Sequence, residues 1–422
     1  QIKTKGGNCM IEKKETREKK VNESGKGRIR MAIRDYPEYK STHDNYIYVE
    51  DVDKVVDNLI DKCKNAETEA DYVLAVDTET DYNPDIKGVS KFIENRPNNE
   101  PFCVTLYDGD NGYYISKDID KLKRLFDSNA PLFVFHNHKY DRHMLANIGM
   151  NIPIEQIGDT MLMIHLINEE FECNTPNGTK KKSKRLKDLA YHFLGSDAHE
   201  LEDLVSEYRA IKGLHNKQAG ISGGKSAVSY KEVEELNRDL MKDYACADVE
   251  FTYKLYFKFL PELKRQELWD AYALDKKASD AVFKMERRGV KIDKEYYETL
   301  YADYGKELED MDKVLEIVTG IEGFSVDKET DVVNAFSKYG IVWAWKTASK
   351  TDCIDKKVLQ GIIKQFPNRE QIVDLAELIL KRRDTAKMRD TFIKNMLDYC
   401  QWDGRVHPDF NICPNDFSSR CY

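Results

Sequence analysis

Several things are scarce in this chain, and each scarcity excludes something. Only 11 of 422 residues are proline and 22 are glycine, too few for a collagen-like or low-complexity Pro/Gly chain. No run of 18 or more apolar residues occurs, which excludes an ordinary membrane-spanning helix. No charged stretch leading into an apolar one opens the chain, so no secretory signal is visible. The nine cysteines (Cys9, Cys63, Cys103, Cys173, Cys246, Cys353, Cys400, Cys413 and Cys421) are odd in number and scattered, and no two form a CxxC pair. That pattern suits reduced thiols in a cytosol-like compartment. Cys400, His407, Cys413 and Cys421 match the spacing of no common zinc module. The chain begins with Gln1 rather than Met and stops at Tyr422 without a terminal pattern, so a fragment or partial reading frame is expected.

What is present points to a folded, multidomain protein. Hydrophobic residues make up 41% and charged residues 33%, enough apolar material for real cores and too much for a disordered chain. The length predicts two or three domains at about 100–200 residues each. The net charge of −9 is uneven, since residues 1–30 carry ten Lys/Arg against four Asp/Glu. A second basic cluster, KKKSKRLK at 180–187, has six cations in eight residues. Such runs are first read as solvated surface, and a phosphate-contacting role needs support from elsewhere.

Periodicity organises the rest. Residues 1–43 are polar with little periodicity and read as a mobile basic extension. YIYVED is strand-like, and residues 52–65 place Val55, Val56, Leu59, Ile60 and Cys63 on one helical face. YVLAVDTETD at 72–81 is an apolar strand ending in acids. PFCVTLYD and GYYISK form a predicted hairpin around 109–112. A helix at 119–128, a buried strand at 131–137 and a helix from about Asp141 follow. This order predicts an α/β or α+β domain with a mixed sheet. Helices are predicted at 159–168 and 186–194, a loose stretch at 212–229, and one long helix over 230–259 closed near Pro261. Beyond it the pattern is mostly helical, with GVKID at 289–293 a short strand or turn. No internal repeat is found.

The chemistry lies in acids on three separated segments. Asp77 and Glu79 stand two apart at a strand end, so both carboxylates project to one face. Asp141 follows the strand at 131–137. Tyr244 and Asp248 lie four apart on one helix face. Gathering such carboxylates is unfavourable unless cations neutralise them. Oxygen ligands without Cys or His suit Mg²⁺ or Mn²⁺, and two such ions form a clamp for phosphoryl transfer.

In this order and context, VDTETD, HNHKYDRHML and YACAD resemble the three exonuclease motifs of family A (DNA polymerase I-like) DNA polymerases, whose proofreading 3′→5′ exonuclease domain is of the DEDDy type. GDTMLMIHLI at 158–167 and LKDLAYHFLG at 186–195 look like further stretches of that family, so the resemblance covers roughly 45–262. It implies an RNase H-like fold, a mixed sheet flanked by helices. It also implies two Mg²⁺ ions (Mn²⁺ substituting), with Asp77, Glu79 and Asp248 on the tighter one and Asp77 and Asp141 on the second. Tyr244 would orient the attacking water, and Thr78, Asn137 and Tyr140 would lie at the 3′-terminal nucleotide of a DNA partner. Asn83 stands where the family often has an apolar wedge residue.

Downstream, MERRGVKID at 285–293 looks like the segment that begins the polymerase portion. Residues 294–400 would be a helical thumb. SSRCY at 418–422 resembles the start of the first polymerase motif, with Arg420 at the primer–template. No palm carboxylate motif follows, so the chain is not expected to polymerise DNA by itself. The resulting expectation is a basic extension at 1–43, an exonuclease domain at 44–262 and an incomplete thumb region at 263–422, acting on DNA in the cytoplasm without a membrane. A stand-alone exoribonuclease of the RNase D type and a non-catalytic duplex-binding scaffold are the alternatives. AGISGGKS at 219–226 (Ala219, Gly224, Lys225, Ser226) formally fits a loose P-loop but lacks a preceding strand. His136, His138 and His143 crowd near Asp141 without a zinc pattern.

Overall fold

The computed structural model describes residues 35–80, 100–176, 178–196, 199–221, 228–347, 349–400 and 403–413. Arg420, Asn83 and the Gly/Ser segment 222–227 lie outside the described residues, as does most of the basic extension.

The chain first builds a six-stranded mixed sheet. β1 (Tyr46–Tyr48) is followed by α1 (Val52–Lys64) and a short α2 (Glu69–Tyr72). Next come β2 (Val73–Thr80), β3 (Pro101–Tyr107), β4 (Gly112–Ile115), α3 (Lys123–Phe126) and β5 (Leu132–Phe135). α4 (His138–Asn147), β6 (Ile157–Asp159) and α5 (Thr160–Ile167) complete the sheet region. The strand order is β1-β4-β3-β2-β5-β6, with β2 antiparallel to β3 and parallel to β5. α1 shows why these segments fold locally as they do. Asp51 caps it by accepting from the Lys54 N–H at 3.1 Å, and Val52, Val56, Leu59 and Cys63 form its buried stripe.

Helices follow. A small hairpin, β7 (Glu172–Asn174) with β8 (Lys180–Lys182), leads to α6 (Leu186–Leu194) and α7 (His199–Gln218), then α8 (Tyr230–Leu236) and α9 (Arg238–Arg265). α10 (Trp269–Arg288), β9 (Val290–Lys291), α11 (Lys294–Thr319), α12 (Glu329–Ser337), α13 (Lys356–Gln365), α14 (Glu370–Lys387), a π-helical turn, α15 (Lys394–Tyr399) and β10 (Arg405–Val406) form the remainder. The second helical region has its own core, including Leu315, Phe336, Leu359, Ile362, Leu375 and Ile379.

The two faces of β2 divide the core. Leu74 and Val76 pack with Val56, Leu59, Leu106 and Phe133 beneath α1. Val73 packs with Leu255 and Tyr256 of α9, and Ala75 with Val249. The odd-numbered face of β2 is therefore roofed by α9, and that alternation decides where Asp77 and Glu79 look.

Five expectations need correction, the first being the start of α4, which opens at His138 rather than near Asp141. The long helix at 230–259 is two: the Asn237 side chain accepts from the Leu240 N–H at 3.0 Å and caps α9, separating it from α8. Pro261 is not a boundary but lies inside α9, where buried Leu260 and Leu263 continue the packing face beyond it. The stretch from 212 is not loose at first, because α7 runs to Gln218 with Val205, Tyr208 and Ile211 buried. The last residues of the presumed extension are anchored. Tyr39 and Ser41 donate to the two oxygens of buried Asp243 on α9, each at 2.8 Å, and the Tyr36 ring lies 5.1 Å from that of Tyr208.

α10 packs on the sheet body. Tyr272 sits in the same core cluster as α5 and α9, and its hydroxyl oxygen accepts from the Asp159 N–H at 2.7 Å. Among the described residues, no helix is long and apolar enough to cross a membrane.

Candidate active site

The pleat of β2 sends Asp77 and Glu79 toward α9, where Tyr244 and Asp248 sit one turn apart. Asp77, Glu79 and Asp248 offer ligand oxygens that all lie within 4.8 Å of one another, the one such acidic or thiol/imidazole group among the described residues. Asp248 therefore lies on the same side of the sheet as Asp77 and Glu79. Asp141 is not a member of that group but stands beside it, close enough to feel the Asp77 charge. Its Oδ1 accepts from the Thr78 N–H at 3.0 Å and from the Thr78 hydroxyl at 2.7 Å. Thr78, between the two acids in sequence, thus ties α4 to the strand that carries them. Beside it, the Thr80 and Tyr140 hydroxyls meet at 2.5 Å. Asn137 opens α4 at φ +71° with no side-chain cap, a left-handed conformation that asparagine tolerates better than most residues.

Burial dominates the electrostatics. Asp77 and Glu79 retain some exposed surface, but the protein encloses both carboxyl groups. Loss of solvation raises Asp77 to about 6 against the lowering pull of Lys187. It raises Glu79 to about 8, with the Asp77 charge adding to the rise. Asp141 is pushed well above the usual carboxylate range by burial and then by Asp77. The Tyr244 phenol is held well above its ordinary value by burial and by Glu79, so it acts as a neutral hydroxyl. Its ring stacks on Tyr230 at 5.8 Å and 20°.

A cluster of carboxylates with raised affinity for positive charge, and with no sulfur or imidazole among the donors, is the donor set of a hard divalent cation. One cation is already supplied by the chain. Lys187, in the first turn of α6, pairs with Asp248 and lies 4.4 Å from the centre of the Tyr244 ring. Burial lowers its ammonium to about 8, opposed by Glu79 and Asp77. Lys187 and Tyr230 did not stand out in the sequence. For Lys187 the only signal was its place in the basic run. The other cations of that run are largely spent on carboxylates: Lys181 on Asp188 at 3.0 Å, Lys182 on Glu170, and Arg185 on Glu202 at 2.8 Å.

The three histidines near Asp141 have structural partners. His136 uses both ring nitrogens, on Thr160 and on the Lys184 carbonyl, each at 2.8 Å. His143 meets Glu286 at 2.8 Å. His138 lies between Asp159 at 2.6 Å and Ser279 at 3.0 Å. That Ser–His–Asp chain has the order of a hydrolase triad, but all three residues are 0% exposed, and no substrate reaches them. Asp159 also caps α5 through the Met161 and Leu162 N–H groups at 2.8 and 2.9 Å, so the chain pins α4, α5 and α10 together. His407 meets the Glu286 carbonyl and Asp403, and Cys413 lies in the apolar cluster around α5 and α9. Among the described residues, neither belongs to a metal group. The segment before the loose P-loop pattern is helix α7, not a strand.

A mixed sheet with acids at one strand end, facing a helix that carries a Tyr and an Asp one turn apart, is the build of an RNase H-like exonuclease. The family model described as the 3′-5′ exonuclease of DNA polymerase A matches residues 46–264, just over half of the chain. The chain belongs to this family of DNA polymerase exonuclease domains. It is 24% identical over 326 residues to a DNA polymerase DpoZ of Vibrio phage phiVC8, covering 74% of this chain and 48% of that protein. It is 27% identical over 349 residues to a DpoZ of Salmonella phage PMBT28, covering 80% and 50%. It is 24% identical over 364 residues to DNA polymerase I of Borreliella burgdorferi, covering 84% and 34%. The chain spans about half or less of the length of these relatives. A solved structure, the POL domain of Pol1 from M. smegmatis in complex with DNA primer-template and dNTP, superposes with a TM-score of 0.57 at 16% identity, covering 86% of this chain and 52% of that one.

Proposed function

We propose that this chain removes nucleotides from the 3′ end of DNA by hydrolysis, as the proofreading part of a family A DNA polymerase, and that it uses two divalent cations, Mg²⁺ or Mn²⁺. The observation that carries the reading is the convergence of Asp77, Glu79 and Asp248, with Asp141 fixed beside them by Thr78. Asp77, Glu79 and Asp248 would hold one ion, and Asp77 with Asp141 the other. Bound there, the ions offset the carboxylate charge, make water a stronger nucleophile and stabilise the leaving oxygen.

The chain's own groups do the positioning. Thr78 holds Asp141 by two donors. Tyr244, kept neutral and locked against Tyr230, presents a hydroxyl suited to orient a water. Asn137 and Tyr140 stand at the start of α4, where a 3′-terminal nucleotide would lie. The substrate is a single-stranded or frayed 3′ end, and the product a nucleoside 5′-monophosphate. Residues 263–422 are read as the start of the polymerase portion, and the protein as one that works in the cytoplasm. The relatives' names, all DNA polymerases, support DNA over RNA as the substrate.

The test is digestion of a 5′-labelled oligonucleotide with Mg²⁺, with Mn²⁺, and with EDTA. Asp77→Ala is expected to lose several orders of magnitude in rate, the scale of removing a major electrostatic element. Tyr244→Phe is expected to lose roughly tens to hundreds of fold. Digestion that persists in EDTA, or a ladder that shortens from the 5′ end, refutes the reading.

A further inference from the structure

Lys187 places a cation of the chain itself against these acids. α6 is fixed firmly beneath it: Leu189 and Ala190 are fully buried, and Asp188 is held by the Ser183 hydroxyl at 2.5 Å and by Lys181 at 3.0 Å. The backbone at Lys187 therefore has little freedom, while the side chain has four methylenes with which to move its ammonium. The side chain is 8% exposed, and its ammonium pairs with Oδ1 of Asp248, one of the three carboxylates whose oxygens converge. It also lies over the face of the Tyr244 ring, a position that a cation favours.

A single lysine cannot neutralise three carboxylates, but it can occupy the oxygen that a divalent ion would need. Two cations repel at that separation, and the interior screens them weakly. Resting on the metal reading above, we propose that Lys187 is an exchangeable counter-ion: its pairing with Asp248 and divalent loading of the Asp77/Glu79/Asp248 group exclude one another. In the ion-free protein, the lysine holds the acids together and fills the site. Loading requires it to leave Asp248, and the freed ammonium then stands at the mouth of a site that receives a phosphodiester. Lys187 is a positioning residue in this scheme. It sets how tightly the substrate-free protein takes up metal.

The experiment is a calorimetric Mn²⁺ titration of the substrate-free protein, wild type against Lys187→Met and Lys187→Gln, with thermal melting of each in EDTA and in Mn²⁺. Removing the competing charge is expected to tighten Mn²⁺ binding by about tenfold or more. The same variants are expected to melt lower than wild type in EDTA, because the acids lose their internal partner, and to gain more from Mn²⁺. Lys187→Arg, which keeps the charge, is expected to stay near wild type or weaker in Mn²⁺ affinity. Mn²⁺ binding by wild type with unchanged or weaker affinity in both neutral variants overturns the exchange and leaves the metal reading standing. Absence of Mn²⁺ binding in wild type and variants alike overturns both. Asp77→Asn, expected to abolish binding, separates this site from adventitious Mn²⁺ elsewhere. If Lys187→Met melts without cooperativity, the smaller change to Gln carries the comparison.

Discussion

Thr78→Val is the perturbation that separates two roles for one residue. The family resemblance implies that Thr78 touches the 3′-terminal nucleotide, whereas the structure spends its hydroxyl and its backbone N–H on Asp141 at 2.7 and 3.0 Å. Valine keeps the shape and the backbone donor and removes only the hydroxyl. A hydrogen bond to a buried carboxylate contributes about 1.5–3 kcal/mol, equivalent to roughly tenfold to a hundredfold in rate if all of it serves the placement of Asp141. Because Asp141 acts on the chemistry in the proposed function, the loss belongs in kcat, with KM for the oligonucleotide changed by less than about threefold. The assay is steady-state digestion of a 5′-labelled single strand at saturating Mg²⁺, with a denaturant melt as control. Unchanged kcat together with a raised KM refutes the reasoning and returns Thr78 to the nucleotide.

Other outcomes follow from the same contacts. Lys139 donates to Glu286 and to the Phe410 carbonyl, each at 2.5 Å, and to Asp409 at 2.8 Å, in a junction where Glu286 is buried. Lys139→Met should therefore destabilise the protein by about 3 kcal/mol in urea, the cost of breaking a buried ion pair while Glu286 keeps His143 and the Phe410 N–H; a loss under ~1 kcal/mol contradicts this. Ser279→Ala removes one arm of an enclosed pin and should cost about 1 kcal/mol of stability while leaving nuclease rate unchanged; loss of activity without loss of stability would give that Ser–His–Asp chain a chemical role. Asp77, Glu79 and Asp141 bind protons more tightly folded than unfolded, so the folded state holds more protons between their ordinary values and their raised ones. Stability in EDTA should accordingly fall as pH rises from about 5 to 8, and melting temperatures that climb over that range in EDTA contradict the assignment.

How far the sequence reached depends on the range of the interactions involved. β2 was legible because an apolar run ending in Asp-x-Glu fixes both a strand and the face its acids share. Tyr244 and Asp248 were legible because a four-residue spacing needs only a helix to bring them together. The start of α4 was placed too late, since the left-handed turn at Asn137 that opens it has no strong local signature. α7 had a signal in Leu201, Leu204, Val205, Tyr208 and Ile211, diluted by the charged residues between them. Pro261 misled because a rule about local backbone was applied where burial of Leu260 and Leu263 overrides it. Lys187 was out of reach: within its own helix it looks like one more cation of a solvated run, and its partner Asp248 lies 61 residues away. The ties of α4 to α10, which include Arg142 donating to Asp280 at 2.8 Å, and to residues 409–410 were equally hidden, because Lys139, Arg142 and His143 read as the polar face of a short helix and not as buried anchors.

In the proposed function the acids of β2, α4 and α9 assemble a site for two divalent ions. The most direct measurement is an anomalous difference map from crystals of the protein grown or soaked with Mn²⁺ and a short oligonucleotide, using Asp77→Asn as the matched control. Two peaks are expected, one among Asp77, Glu79 and Asp248 and one between Asp77 and Asp141, both absent in the variant. A map with Lys187 still on Asp248 and no peak among the acids, or with Mn²⁺ bound only elsewhere, contradicts it.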